Sequence, residues 1–267
     1  MLRSWREHRR LSQLALALQA GVSTRHLSFV ENGRARPSAE LIDTLATHMD
    51  VPLRERNALL LAGGFAPRYE ETPIDAPALA SVRAAIERLL RAHDPYPGVA
   101  LDRYWNIVVA NDAATRMIGL LPPALRGPPV NTFRAGLHPE GLGRLTANFE
   151  QWGAYLLRQL DRLVESTLDP AAASLLAEVS EWPRVRALRR SGAPAAAQAA
   201  ALQGRLLVPF VLDLQGRRLS MFTTLATLGS PLDVTLSELT VELFYPADDE
   251  SAAALRHASG VHETEPA

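Results

Sequence analysis

Apolar residues recur at three- and four-residue spacing in short blocks over the first 62 positions, the period of helices with one buried face. Leu2 and Trp5, with His8, mark a first helix over 2–10. Leu14, Ala17 and Leu18 share a face of a second, which Ser12 can cap, and Leu27 and Val30 face inward from a third, capped by Ser23. Gly21 separates these two and can take the positive φ of a sharp turn, while Asn32-Gly33 is a helix stop. Pro37-Ser38 opens a fourth helix over 39–49 with Leu41, Ile42, Leu45 and Met49 inward. Pro52 starts a fifth, which ends at Gly63-Gly64. Two short helices joined by a glycine turn form a helix-turn-helix, and the second is sized for the DNA major groove.

The pattern then changes. Residues 66–78 are rich in Pro and acid without apolar periodicity and read as a linker. Val82, Ile86, Leu89 and Leu90 line one face of a helix over 79–92. Strands follow at 99–101 and 107–110 about a turn at 102–106, and Asn111 caps a helix over 112–118. Pro122-Pro123 and Pro128-Pro129 mark loops around a short helix. Leu145, Phe149, Trp152, Leu156 and Leu160 predict one long amphipathic helix over 142–164. Asp169-Pro170 begins another, stopped near Trp182-Pro183. Strands are expected at 206–214, where Pro209 argues for an edge or a bulge, at 218–228 after a Gln215-Gly216 turn, and at 239–245 after a loop at 229–231. With the first hairpin they make an antiparallel sheet of about five strands. Residues 248–267 are polar and acidic and read as a disordered tail. The expected organisation is thus an all-α domain over 1–65, a linker over 66–78, an α+β domain over 79–247 and the tail.

Composition removes several chemistries. With no cysteine there is no disulfide, thiolate nucleophile or cysteine-held zinc. All 28 basic residues are Arg, so a lysine Schiff base or P-loop lysine is excluded. Residues 1–70 carry ten Arg against seven acidic residues, and the remainder carries eighteen against twenty-two. A basic head on an acidic body suits a chain that meets phosphate with one end. No apolar signal segment or membrane-length run is present, so a cytoplasmic protein is expected.

The third helix has the chemistry of a base reader. Thr24, Arg25 and Ser28 lie near its N-terminus, where short or forked side chains meet base edges, and Arg can grip guanine through two hydrogen bonds. Gln13 and Ser23, at helix N-termini, suit phosphate. The Arg residues of 2–10 are placed either to reach phosphate or to sit in solvent; Phe29 suits a thymine methyl or the core, and His26 DNA or the interior.

The run Ser12-Gln13, Ala17, Gly21-Val22-Ser23, Leu27, Glu31-Asn32-Gly33, Arg36-Pro37 resembles the helix-turn-helix of the phage-repressor (XRE-type) class. RHLSFVENGRARPS at 25–38 and VPLRERNALLLAGGFAP at 51–67 resemble a narrower group, the MmyB-like transcriptional regulators. The resemblance implies a five-helix repressor-type domain followed by a PAS-like ligand-binding domain, and contacts from Arg34 and Arg36 to the DNA backbone. The partners it implies are a double-stranded operator, a small ligand and a second copy of the chain in a homodimer, with no membrane and no cofactor. One departure stands out: after Trp182 the group continues with a polar segment and a His, and this chain has the Ala-rich RRSGAPAAAQAAALQGR.

A PAS-like sheet with helices on one face encloses a cavity. Its expected wall is Tyr104, Trp105, Val109, Phe149, Trp152, Leu156, Phe222 and Phe244, each of which also fits ordinary core. An apolar lining favours a lipid-like (fatty-acid-like among them) or aromatic ligand, and Arg103, Arg134 or Arg158 could meet a ligand carboxylate or lie on the surface. The seven His do not pair at metal-ligand spacing, and no nucleophile elbow or dinucleotide fingerprint occurs. Glu238 and Glu242, four apart on one expected strand, do not converge on anything. No enzyme is expected; a C-terminal domain serving only dimerisation or a partner is the alternative to a sensor.

Overall fold

The computed structural model describes residues 1–192, 208–229 and 232–259. They form two compact units, one of residues 1–73 with 232–237 and one of 74–192, 208–229 and 238–259.

The first unit is built on α1 (Leu2–His8), α2 (Gln13–Gln19), α3 (Thr24–Glu31), α4 (Ala39–His48) and α5 (Leu53–Ala62). The side chains of Ser12, Ser23 and Ser38 accept backbone N–H groups at the starts of α2, α3 and α4, which satisfies donors that a helix leaves orphaned. Gly21 takes φ +66° in the turn between α2 and α3, and Gly33 φ +69° after α3. Trp5, Leu16, Ala17, Leu27, Ile42, Leu45, Met49, Leu59 and Leu60 make one core. The face of α2 differs from expectation. Ala17 points inward as expected, but with Leu16 beside it, whereas Leu14 and Leu18 are 58% and 73% exposed. Seven residues can offer one stripe only, and packing on α3 and α4 selects it.

Residues 66–72, expected in a linker, are tied to this unit. Asn57 Oδ1 accepts from the N–H groups of Arg68 and Tyr69, and its Nδ2 donates to Tyr69 O at 2.7 Å. Val234 N donates to Glu70 O at 2.7 Å and Thr72 N to Asp233 Oδ2 at 3.1 Å. Such pairings over more than 160 residues have no local signature in the sequence.

The second unit opens with a 3₁₀ turn, Pro77–Leu79, and α6 (Ala80–Ala92). There follow β1 (Gly98–Leu101), β2 (Ile107–Ala110), α7 (Asp112–Ile118), α8 (Pro123–Arg126), α9 (Thr132–Leu137), α10 (Phe149–Thr167), α11 (Pro170–Ser180) and α12 (Pro183–Arg190). Then come β3 (Phe210–Leu214), β4 (Arg217–Thr227), β5 (Thr240–Pro246) and α14 (Asp249–Ala258), with α13 (Val234–Glu238), nearly all of it in the first unit, between β4 and β5 in the chain. The five strands form one antiparallel sheet in the order β2-β1-β5-β4-β3. β3 and β4 meet through Gln215 and Gly216, both at positive φ, as a two-residue hairpin requires. β3 is an edge strand, consistent with Pro209 just before it. On one face of β1 and β5, His93 at the end of α6 bonds Phe244 O at 2.8 Å and meets the Tyr245 ring. On the other, Phe133, Trp152, Leu156, Leu157 and Leu160 pack on Phe210, Leu212, Leu219 and Met221.

Two expectations change here, and one stretch left without an assignment becomes a helix. The long helix begins at Phe149 and not near 142, because residues 145–148 line the edge of β3. Asp213 N donates to Leu145 O, Ala147 N to Val211 O, and Asn148 bonds both Pro209 O and Val211 N. Beyond Trp182 the chain forms α12, burying Val185 and Leu188. Within the expected tail, Asp249–Ala258 form α14. Asp248 caps α14, Ser251 Oγ accepts from Ser220 N at 2.9 Å, and Leu255 enters the main core. Tail residues 260–267, the Ala-rich stretch from 193, the first two positions of the expected strand at 206, and 230–231 of the expected loop lie outside the described residues.

Asn111 holds the opening of this unit together. It caps α7 through Oδ1, which accepts from Ala114 N and also from Gly98 N at the start of β1; Nδ2 donates to Leu90 O of α6 and to Tyr96 O. Substituting Asn111→Ala strands donors and acceptors on three elements and should cost about 3 kcal/mol in chemical denaturation. Asn111→Asp keeps the cap but aims a carboxylate at two carbonyls, and should lose at least as much.

Candidate functional site

In the first unit α3 presents Arg25 exposed and Thr24 and Ser28 half-buried, while Leu27 and Val30 lie in the core. The Arg25 guanidinium stands 5.3 Å from the Phe29 ring centre. Ser23 is exposed, and its Oγ accepts from His26 N. Arg34 is exposed in the loop after α3; Arg36 lies across the end of α5, with Nε 3.3 Å from Gly63 O and its guanidinium over Phe65.

Gln13, expected at a phosphate, has a different partner. Its Nε2 donates to Glu31 Oε2 at 2.7 Å, and Arg6 grips the same carboxylate through Nε at 2.6 Å and Nη2 at 2.9 Å. The Glu31 side chain is 1% exposed and that of Arg6 9%. Burial pushes the Glu31 carboxyl up, but the bonds from Arg6 and Gln13 outweigh it and hold the group below its ordinary range. This pair ties α1, α2 and α3 together and fixes the angle at which α3 is presented. Arg6 is therefore structural, one of the two roles open to the Arg residues of 2–10.

In the second unit an apolar cavity of about 80 Å³ lies between the sheet and α7, α9 and α10. Trp152, Leu156 and Phe244 line it as expected; Tyr104, Trp105, Val109, Phe149 and Phe222 do not. A bulge in β2 explains Val109: Leu101 pairs with Ile107 but Ala100 with Val109, so the alternation slips and Ile107 faces inward in its place. Phe222 stacks on Tyr245, whose parity on β5 is opposite to that of Phe244. Trp105 stacks on Phe133, Phe149 lies under the Arg184 guanidinium 3.7 Å from its ring centre, and the Tyr104 hydroxyl donates to Asp169. The remaining wall, including Val99, Met117, Ile118 and Leu121, came from segments whose inward face only the assembled sheet reveals.

None of the three arginines considered for a ligand carboxylate lines the cavity. Arg103 bridges Asp169 and Glu238, and Arg134 forms a two-pronged pair with Glu178 at 2.8 and 2.6 Å. Arg158 is held below its usual range, first by burial and then by Arg162.

The ionisable group at the cavity wall, among the described residues, is Glu242, in the middle of β5 and 3% exposed. Glu238, expected on the same strand, instead ends α13. Thr223 on β4 hydrogen-bonds the Glu242 carboxyl, and burial pushes it up to about 7. Its Oε1 has no hydrogen-bond partner among the described residues. Nearby, burial and then the Glu242 charge push the Tyr155 phenol up.

A helix-turn-helix unit joined to a sheet that walls an apolar cavity defines a DNA-binding regulator with a ligand-binding domain. A family model described as MmyB-like transcription regulator ligand binding domain matches residues 82–258, and one described as Helix-turn-helix matches 2–56. The chain belongs to the MmyB-like transcription regulators, and both matched families are regulatory modules. No curated protein matches. Among solved structures, one titled as an RNA-binding light-oxygen-voltage receptor aligns over 97% of this chain at 13% identity with a TM-score of 0.27; this chain spans 62% of its length. At that score the alignment carries no argument. Among the described residues no helix is long and apolar enough to cross a membrane.

The Glu242 carboxyl yields a stability prediction. Its folded pKa, about 7, lies above the free value of 4.5, so folding favours the protonated form. Stability from this group is greatest below 4.5 and falls as pH rises through about 7. In denaturant titrations at about pH 8, Glu242→Gln should exceed the wild type by up to about 3 kcal/mol, a gap that closes below the free carboxyl pKa. A gap independent of pH would contradict the assignment.

Proposed function

We propose that this regulator reads its operator with α3 and senses a small apolar molecule in the cavity of the second unit. The observation that carries the ligand reading is the cavity itself, apolar on nearly every side and walled by Trp152, Leu156 and Phe244. At about 80 Å³ it is smaller than the apolar cavity of roughly 150 Å³ that takes benzene. A compact molecule therefore suits it as it stands, and a long acyl chain requires the wall to move; Met117, with its flexible thioether, is suited to yield. Both matched modules are regulatory, and we read the chain as a non-enzyme.

On DNA, Thr24, Arg25 and Ser28 meet base edges, while Ser23, Arg34 and Arg36 meet phosphate. Gln13 acts behind them by bracing Glu31. One recognition helix covers one half-site, so we propose a homodimer on a palindromic operator. Ligand shifts the population between two packings of the sensor, and α6, which follows the boundary between the units in the chain, is the segment through which the shift is passed on.

Two experiments test this. Arg25→Ala should weaken operator binding by about 1–3 kcal/mol and relax preference at one base position; an equal loss on random DNA would make Arg25 a phosphate contact. Denaturing extraction of the purified chain, read by mass spectrometry, should release an apolar molecule at near one per chain. The cavity-filling Ala114→Leu should lack it. Equal loading of that variant would move the ligand elsewhere, and a bare wild-type extract would favour a domain serving only dimerisation or a partner.

A further inference from the structure

Glu242 is unusual among the buried groups of the second unit. Buried Asn111 and Asn131 have their amide groups fully engaged with backbone or side-chain partners. The buried Ser251 donates its N–H to the capping Asp248 and receives Ser220 N on its Oγ. Thr223 hydrogen-bonds the Glu242 carboxyl, while Oε1 is sealed from solvent and meets no donor among the described residues. A buried acceptor without a donor costs about 1–3 kcal/mol, so an arrangement of this kind calls for a partner.

The site has a direction. Glu242 and Phe244 are two apart on β5 and share the face that walls the cavity, and Val99, also on the wall, is directly opposite Glu242 on β1. The other polar side chain on the wall, Thr132, donates its hydroxyl to Trp105 O at 3.1 Å and so has no proton to offer Oε1. The rest of the lining is aliphatic or aromatic. A molecule entering this space meets two polar side chains, and of these Glu242 is the one with an oxygen left without a donor among the described residues.

We propose that the cavity selects a small apolar molecule carrying one hydroxyl group, an alcohol or phenol, which Glu242 Oε1 anchors. This rests on the ligand reading above and names its chemical class. A hydroxyl serves either protonation state of Glu242: it donates to the ionised carboxylate, and it accepts from the carboxylic acid while donating elsewhere. A carboxylate ligand brings acceptors only, and places a second negative charge beside Glu242 where no arginine among the described residues faces the cavity. A bare hydrocarbon leaves Oε1 without a partner. The Arg103, Arg134 and Arg158 side chains, which could have reversed this preference, lie off the wall.

The chain reports on the site through its isoleucines. Ile107 and Ile118 line the cavity, whereas Ile42 is in the core of the first unit and Ile86 is buried on α6, so the last two serve as internal references. The experiment is a titration of the full chain, labelled at the isoleucine δ1 methyls and observed by NMR, with 1-pentanol, pentane and pentanoate. The expected result is movement of Ile107 and Ile118 with pentanol at a concentration at least tenfold below that needed for pentane, with pentanoate weakest. In Glu242→Leu the pentanol advantage over pentane should vanish while pentane binding persists. Glu242→Gln, a milder change, should keep much of that advantage and admit pentanoate more readily. Equal responses to pentanol and pentane in the wild type, or an advantage that survives Glu242→Leu, overturn the hydroxyl assignment but leave the cavity as a ligand site. No movement of Ile107 or Ile118 with any of the three overturns the cavity reading itself.

Discussion

The ligand domain depends on the register between β1 and β5, two central strands some 140 positions apart in the chain. Each strand has side chains on both faces, and both faces are covered, so a slip of one residue would exchange the two sets entirely. With Val99 opposite Glu242, the cavity receives Val99, Glu242 and Phe244, while Gly98 and Leu243 turn toward α6. The bulge in β2 then adjusts the next strand so that Ile107 joins the same wall. Asn111 secures this register from outside the sheet, because one amide side chain bonds the start of β1, the end of α6 and the first turn of α7.

The DNA-binding unit solves a different problem. Its helices are short, and isolated helices of this length are marginal in water, so tertiary packing must hold them. The core around Leu16, Leu27, Leu45 and Leu60 supplies most of that, and the buried Arg6–Glu31 pair with Gln13 adds orientation. Such a pair contributes little net stability when desolvation is counted, yet breaking it is costly because one charge stays buried alone. Its place at the end of α3 makes that helix a rigid part of the unit, with Arg25 and Arg34 exposed at the surface. The two units thus use buried charge differently: Glu31 is fully engaged and held ionised, whereas Glu242 is half engaged and pushed toward neutrality.

Much of this was legible from local signals. Caps at Ser12, Ser23, Ser38, Asn111, Asp169 and the turn glycines are read from one residue and its neighbours, and they placed most helix ends. Strand order and the site were less legible. Leu14 and Leu18 matched helical spacing as well as Leu16 and Ala17 did, since a two-turn helix has too few positions for periodicity to decide. The start of α10 was hidden because residues 145–148 satisfy their backbone against β3, a partner more than 60 residues away. Of the eight side chains expected on the cavity wall, Trp152, Leu156 and Phe244 are there, and the others are drawn off by stacking, by the bulge or by the opposite parity of their strand.

By itself the sequence determined the repressor-type head, the α+β second domain and the family, because these rest on motifs and on the local chemistry of caps, turns and hydrophobic period. Only the tertiary structure decided which face each central strand gives to the cavity, and so that Glu242 would stand there with an open oxygen. The alternation in LTVELFY pairs Glu242 with Thr240 as the polar set, which suggests an outward face. In a sheet covered on both sides that inference fails, since burial no longer distinguishes the two faces and the long-range pairing with β1 chooses between them.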